Sequence, residues 1–253
     1  DDAVRECCRR LSEQHVESVA ISLLFSFVNP AHEKRVAQIV AEEMPGAHIS
    51  CSHQVLPRSP EYDRTSTTVV NAYVAPRVTS YLERLVTSLE EAGYQNQLMV
   101  MQASGGVMTC EYIEGSPVRV LASGPAGGVI GSAHVGLAKG HPNLLCVDMG
   151  GTSYDISMVL NGTAPAVAGW NMHHRYLVGV PMVQVETLGA GGGSICHVDN
   201  GELYPVLRHF RTDPAKGPEG LLPDLKARGL VLDSPECVFE KNEEQFGAPG
   251  WTI

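Results

Sequence analysis

The residues best suited to chemistry run Asp148-Met149-Gly150-Gly151-Thr152-Ser153-Tyr154-Asp155. An apolar strand-like run, Leu144-Leu145-Cys146-Val147, leads into them, and a second strand is expected to follow. A strand–turn–strand with an acid at each end and two glycines between them makes a good phosphate cradle. Glycine puts no side chain in the way, so backbone N–H groups can approach phosphate oxygens. Thr152 and Ser153 add hydroxyl donors. Carboxylates repel phosphate, so Asp148 and Asp155 are expected to hold Mg²⁺ and its waters against the anion. The pattern differs from a Walker A loop, which needs a lysine and runs from strand to helix, and from a dinucleotide fingerprint, which also opens a helix. The competing reading is a tight hairpin whose acids cap turns.

Further small-residue segments could take part. In Ser123-Gly124-Pro125-Ala126-Gly127-Gly128, Pro125 suits a first helical position, and Ala126, Val129, Ile130, Ala133 and Leu137 fall on one helical face. Such a helix start offers an anion free N–H groups at Gly124 and Gly127, although small residues also serve close helix packing. The run Gly189-Ala190-Gly191-Gly192-Gly193-Ser194 costs backbone entropy, which makes sense if a ligand or another backbone comes very close. Gln102, with Ser104-Gly105-Gly106, ends a strand-like run where α/β proteins often hold ligands. The polar stretch Glu61 to Thr68 reads equally as a cleft lining or a capped helix start. His173-His174-Arg175 is a basic trio, but adjacent histidines in a strand rarely face one metal.

Alternating elements must carry these residues. Val16 to Leu24 reads as a buried strand, His32 to Met44 as a helix after Asn29-Pro30, and His48 to Cys51 as a second strand. Glu61 to Leu89 is helical, with Pro76 expected to kink it or divide it in two. Gln97 to Ala103 is strand-like. This alternation implies an α/β protein with a layered sheet. The second half turns glycine-rich, with hairpins expected at Asn161-Gly162, between Asp155–Leu160 and Ala164–Ala168, and at Asp199-Asn200-Gly201, between Ser194–Val198 and Glu202–Val206.

Bulk properties narrow the class. With 43% hydrophobic and 18% charged residues over 253 positions, the chain has the composition of a soluble globular protein. A net charge of −10 with no basic cluster argues against nucleic-acid binding. No apolar run reaches the roughly 18 residues a membrane span needs. The seven cysteines (Cys7, Cys8, Cys51, Cys110, Cys146, Cys196 and Cys237) show no zinc spacing and read as reduced, mostly structural thiols of a cytoplasmic protein. Opening on Asp1 rather than Met, the sequence reads as part of a longer frame.

Taken in order, Ser123-Gly124-Pro125-Ala126-Gly127, Asp148-Met149-Gly150-Gly151-Thr152-Ser153-x-Asp155 and Gly189-Ala190-Gly191-Gly192-Gly193-Ser194 resemble the hydantoinase A/oxoprolinase family. Asn29-Pro30-x-His32-Glu33, Arg64-Thr65-Ser66-Thr67-Thr68 with Asn71-Ala72-Tyr73, and Gln102-x-x-Gly105-Gly106 add agreement, so that the likeness covers residues 15–206.

The resemblance implies an actin/hexokinase-like ATPase fold of the sugar-kinase type, built from two related α/β halves with nucleotide between them. It also implies ATP-dependent phosphorylation of a carbonyl, amide or enolate oxygen, driving hydrolysis of a cyclic amide (hydantoin, oxoproline or lactam) or carboxylation of a ketone such as acetone or acetophenone. A partner subunit of the hydantoinase B type and an oligomer belong to that picture. Gly150, Gly151, Thr152 and Ser153 would then hold phosphates, with Gly124, Gly127, Gly189, Gly191, Gly192, Gly193 and Ser194 completing the ATP site. Asp148 and Asp155 would bind Mg²⁺ or Mn²⁺ or orient the attacking oxygen. Residues 1–50 read as the end of an N-terminal α/β half, 51–206 as the ATPase core and 207–253 as a divergent tail. Family members also carry an earlier acidic glycine loop that nothing before Asp148 supplies. The expectation is therefore an incomplete fold, a piece of a larger enzyme or an assembly piece without turnover of its own.

Overall fold

The computed structural model describes residues 1–171, 176–192, 195–199 and 202–206. The chain divides into two units: Asp1–Val135 with Thr163–Gln184, and Gly136–Gly162 with Val185–Ile253.

The first unit opens on a helix not anticipated from the sequence, α1 (Asp2–Glu13), followed by β1 (Ser18–Ile21), α2 (Ala31–Glu43), β2 (His48–Cys51), α3 (Ser52–Val55) and α4 (Glu61–Glu91). β1 and β2 pair in parallel from Ser18↔His48 to Ile21↔Cys51, with α2 as the crossover. Cys8, Ile21, Val40, Met44 and Cys51 form the core between this pair and helices α1 and α2. The expected alternation is present, but among the described residues the parallel sheet has two strands rather than a broad layer. The strand expected to reach Leu24 stops at Ile21. Leu23 cannot join a ladder, because its N–H donates to Glu33 Oε1 at 2.8 Å and its carbonyl accepts from Arg64 Nη2 at 2.8 Å.

Helix α4 continues through Pro76 for 31 residues, so of the two outcomes expected there, a kink or a division, the division does not occur. Proline lacks the N–H that would bond the carbonyl four residues back. That carbonyl belongs to Ala72, and it accepts instead from Ser18 Oγ of β1 at 2.7 Å. A hydroxyl from the neighbouring strand thus takes the place of the missing donor.

The rest of the unit comprises β3 (Met99–Met101), β4 (Val107–Thr109), α5 (Cys110–Gly115), a 3₁₀ turn (Pro117–Val120) and α6 (Ser123–Ala138), whose end falls in the second unit. β3 is shorter than the Gln97–Ala103 strand expected, since Ala103 bonds outside the hairpin, donating to Arg119 O and accepting from Val183 N. Val55, Leu56, Ala103, Val118, Val178, Val180 and Met182 form a second core.

The second unit holds β5 (Leu144–Met149) and β6 (Tyr154–Val159). Asn161 and Gly162 both adopt positive φ, 52° and 75°, as a two-residue hairpin turn demands. The hairpin expected there does not extend, however. β7 (Ala166–Val167) pairs with β10 (Met182–Val183), and β8 (Trp170–Asn171) pairs with β9 (Leu177–Val178). β6 instead lies between β5 and β11 (Glu186–Leu188) in a three-stranded antiparallel sheet. The last hairpin forms as expected, β12 (Ile195–Asp199) against β13 (Glu202–Val206), with Asp199 opposite Glu202.

Candidate functional site

The glycine motif at 150–153 is the turn of the β5–β6 hairpin. Met149 faces Tyr154 and Asp148 faces Asp155 across the ladder. Beyond them the Gly150 N–H donates to Ser153 O at 3.0 Å, which leaves Gly151 and Thr152 as the exposed tip. The N–H groups of Gly151 and Thr152 have no backbone acceptor among the described residues. Directly opposite residues of an antiparallel pair share a face, with Cβ atoms about 4.5–5.5 Å apart. Asp148 and Asp155 are therefore neighbours at the base of an exposed turn that carries the Gly151 and Thr152 N–H groups and two hydroxyl side chains.

The glycine run at 189–194 braces this turn. Gly192 N donates to Gly150 O at 2.8 Å. A Cβ on Gly191 would stand 2.6 Å from Gly150 O, 2.7 Å from Ser153 N and 2.8 Å from Thr152 C. All of those are backbone atoms, which cannot swing aside. Of the two reasons for consecutive small residues, the close approach of another backbone is the one seen, and that backbone is the candidate phosphate loop. Gly189 lies in the exposed bend after β11, while Gly193 and Ser194 fall outside the described residues.

One contact was not anticipated from the sequence. Thr187 lies opposite Asp155 in the β11–β6 register, and its Oγ1 donates to Asp155 Oδ1 at 2.6 Å. Asp148, Asp155 and Thr187 thus form a row across β5, β6 and β11. The available signal was the strand-length run Glu186-Thr187-Leu188 immediately before the glycines. No group of three or more His, Cys, Asp or Glu side chains suited to a metal occurs among the described residues, so the carboxylates here are a pair.

In the first unit, Gly124 and Gly127 occupy the start of α6. The helix begins at Ser123, so Pro125 is its third residue rather than its first. Of the face expected to be apolar, Ala126, Val129 and Ala133 are buried, whereas Leu137 is exposed. A Cβ on Gly127 would stand 3.6 Å from the Met101 side chain, an ordinary packing distance, and one on Gly124 would face open space. Gln102 to Gly106 form the turn of the antiparallel β3–β4 hairpin, with Gln102 N donating to Gly106 O at 2.8 Å. Residues 173–175 lie outside the described part.

The polar stretch at Glu61 to Thr68 is the start of α4, without a side-chain cap, in which Arg64, Thr67 and Thr68 are buried and Arg64 ties it to the Asn-Pro-x-His-Glu segment through Ser52. Glu33, fully buried, accepts from Leu23 N, Ser52 Oγ, His53 N and His53 Nδ1 at 2.6–3.0 Å. Burial pushes its carboxyl up, but the hydrogen bonds from Ser52, His53 and Leu23 together outweigh that, and Glu33 lies below its ordinary value. Arg64, equally buried, donates to Ser52 Oγ, Arg58 O and Leu23 O, pairs with Glu61 and lies 5.1 Å from the centre of the Phe27 ring. Every charged atom of Glu33 is occupied in holding loops together. Nearby, burial and the Glu33 charge push the Cys51 thiol up to about 11, as befits a structural cysteine.

The chain is similar to several known proteins. The hydantoinase/oxoprolinase family model matches residues 64–216, and the model of that family's N-terminal region matches residues 1–44. Caprolactamase subunit alpha of Pseudomonas jessenii is 42% identical over 224 residues, which is 87% of this chain and 32% of that protein. The crystal structure of the ATP-dependent caprolactamase of the same organism superimposes with a TM-score of 0.72 at 35% identity, over 92% of this chain and 35% of its own. A nucleotide-free acetone carboxylase, from work on ATP-dependent acetone carboxylation, gives 0.70 at 31% identity, over 82% of this chain and 30% of its own. The chain therefore spans about a third of the length of these relatives. With the glycine hairpin and its brace in place and the matches covering most of its length, the chain belongs to the hydantoinase/oxoprolinase family.

Proposed function

We propose that this chain is part of an ATP-dependent enzyme that phosphorylates the carbonyl oxygen of a cyclic amide to drive ring hydrolysis. The observation that carries this reading is the facing pair Asp148 and Asp155 beneath a glycine turn whose Gly151 and Thr152 N–H groups have no backbone acceptor among the described residues. Like charges placed directly opposite in a sheet repel, and a cation between them removes the penalty. Paired carboxylate oxygens suit Mg²⁺ or Mn²⁺, which are commonly held by one or two carboxylates together with substrate phosphates and water. When bound, the metal would neutralise phosphate charge. Gly150, Gly151, Thr152 and Ser153 would hold the phosphate oxygens, and Gly191 and Gly192 would hold the turn in shape. Phosphoryl transfer asks mainly for such positioning and charge neutralisation.

The 42% identity to a caprolactamase subunit favours an amide ring as substrate. Ketone carboxylation is the second reading, favoured by the likeness to acetone carboxylase at 31% identity. By the same analogy the complete site belongs to an actin/hexokinase-like fold to which Gly124, Gly127, Gly189, Gly193 and Ser194 also contribute. A hydantoinase B-type subunit would be the partner. A need for ATP and free thiols at Cys7, Cys8, Cys51, Cys110 and Cys146 fit the cytoplasm.

The test is Mg²⁺-dependent ATP turnover by the intact polypeptide with its partner subunit, offered lactams, hydantoins and oxoproline in one series and ketones with bicarbonate in another. Stimulation by a cyclic amide that is lost in Asp155→Asn supports the reading. Stimulation by ketone and bicarbonate alone shifts it to carboxylation.

A further inference from the structure

We propose that Thr187 is a positioning residue that fixes the Asp155 carboxylate for metal binding, a role that rests on the nucleotide-site reading above. The hydroxyl donates to Asp155 Oδ1 at 2.6 Å, and the two residues lie directly opposite in the ladder. β6 runs between β11 and β5, so Thr187 holds Asp155 from one side while Asp148 faces it from the other. A carboxylate is planar. Tying one oxygen on the β11 side stops rotation of the group and leaves the second oxygen for a cation shared with Asp148.

The same short segment acts twice on the site. Thr187 holds the acid, and five residues later the Gly192 N–H holds the carbonyl of Gly150 in the turn. The segment from β11 into the glycines therefore sets the acid and the phosphate turn relative to each other. Partners that orient a metal-binding carboxylate typically change metal affinity by about 10- to 100-fold when removed.

Calorimetry of Mg–ATP binding by the intact polypeptide with its partner subunit tests this with Thr187→Val, Thr187→Ser, Asp155→Asn and the double variant Asp155→Asn/Thr187→Val. Valine keeps the β-branched shape that a strand favours and deletes the donor. Thr187→Val is expected to weaken Mg–ATP binding roughly tenfold while leaving metal-free ATP binding and the melting temperature unchanged. Thr187→Ser, which retains the hydroxyl, is expected within about twofold of wild type. In the Asp155→Asn background the valine should have no further effect. Wild-type affinity in Thr187→Val, or additive losses in the double variant, overturns the positioning role while the site stands. No Mg–ATP binding by the wild type, or undiminished binding in Asp155→Asn, overturns the nucleotide site itself, and this role with it.

Discussion

Glu33 and the Asp148–Asp155 pair are carboxylates of one chain placed in opposite circumstances. Glu33 is wholly buried, and its oxygens are taken up by Leu23, Ser52 and His53. Asp148 is exposed and faces a second carboxylate, and among the described residues the pair has Thr187 as its one hydrogen-bonding partner. Burial with full satisfaction makes an acid part of the scaffold. Exposure, like-charge proximity and unused lone pairs leave an acid available for a cation. Acid chemistry alone therefore does not mark a site; the number of lone pairs already occupied does.

Substitutions should separate the two kinds of acid, and the largest effect is expected at Glu33. Glu33→Ala removes the buried acceptor shared by the Leu23 N–H, the Ser52 hydroxyl and His53, and urea unfolding should show a loss of about 3–5 kcal/mol. At Gly191, an alanine Cβ would press on the backbone of residues 150–153. Gly191→Ala should cost about 1–3 kcal/mol and sharply weaken Mg–ATP binding, measured on folded protein.

The pH dependence follows from Glu33 as well. Its carboxyl lies below its ordinary value in the folded state, so its contribution is fully present above the unfolded value of about 4.3 and is lost as pH falls through the folded value. Urea midpoints between pH 7 and pH 3 should therefore fall more steeply for wild type than for Glu33→Gln. The smallest effect has the opposite sign. Asp148→Asn removes a facing like charge and should stabilise the metal-free protein by about 0.2–1 kcal/mol in the same unfolding assay. If both acid-to-amide changes destabilise alike, the distinction between them collapses.

Local sequence made much of this visible. The glycine turn between two strands was legible because its glycines, flanking acids and apolar lead-in point the same way. The α2 and β2 segments were legible from periodicity. What could not be read were partners distant in sequence. The carbonyl that Pro76 leaves without a donor in α4 is met by Ser18, 54 positions before it. Thr187 bonds an acid 32 positions earlier, and nothing in the Glu186-Thr187-Leu188 run announces that register. Asn161-Gly162 turned as its residue types require, but a turn fixes local dihedrals and does not choose the next strand's partner, and β7 took β10. The Glu61 to Thr68 stretch left two meanings open because polar residues at a helix start look the same whether they face a cleft or a buried glutamate.

The most direct test of the central claim is calorimetric titration of Mg–ATP into the intact wild-type polypeptide with its partner subunit and into Asp148→Asn, with Glu33→Gln, checked for folding, as the control. The account predicts saturable binding by wild type and Glu33→Gln, and binding at least tenfold weaker in Asp148→Asn. Equal affinity in wild type and Asp148→Asn would contradict it, because the facing acids would then have no part in holding the nucleotide's metal.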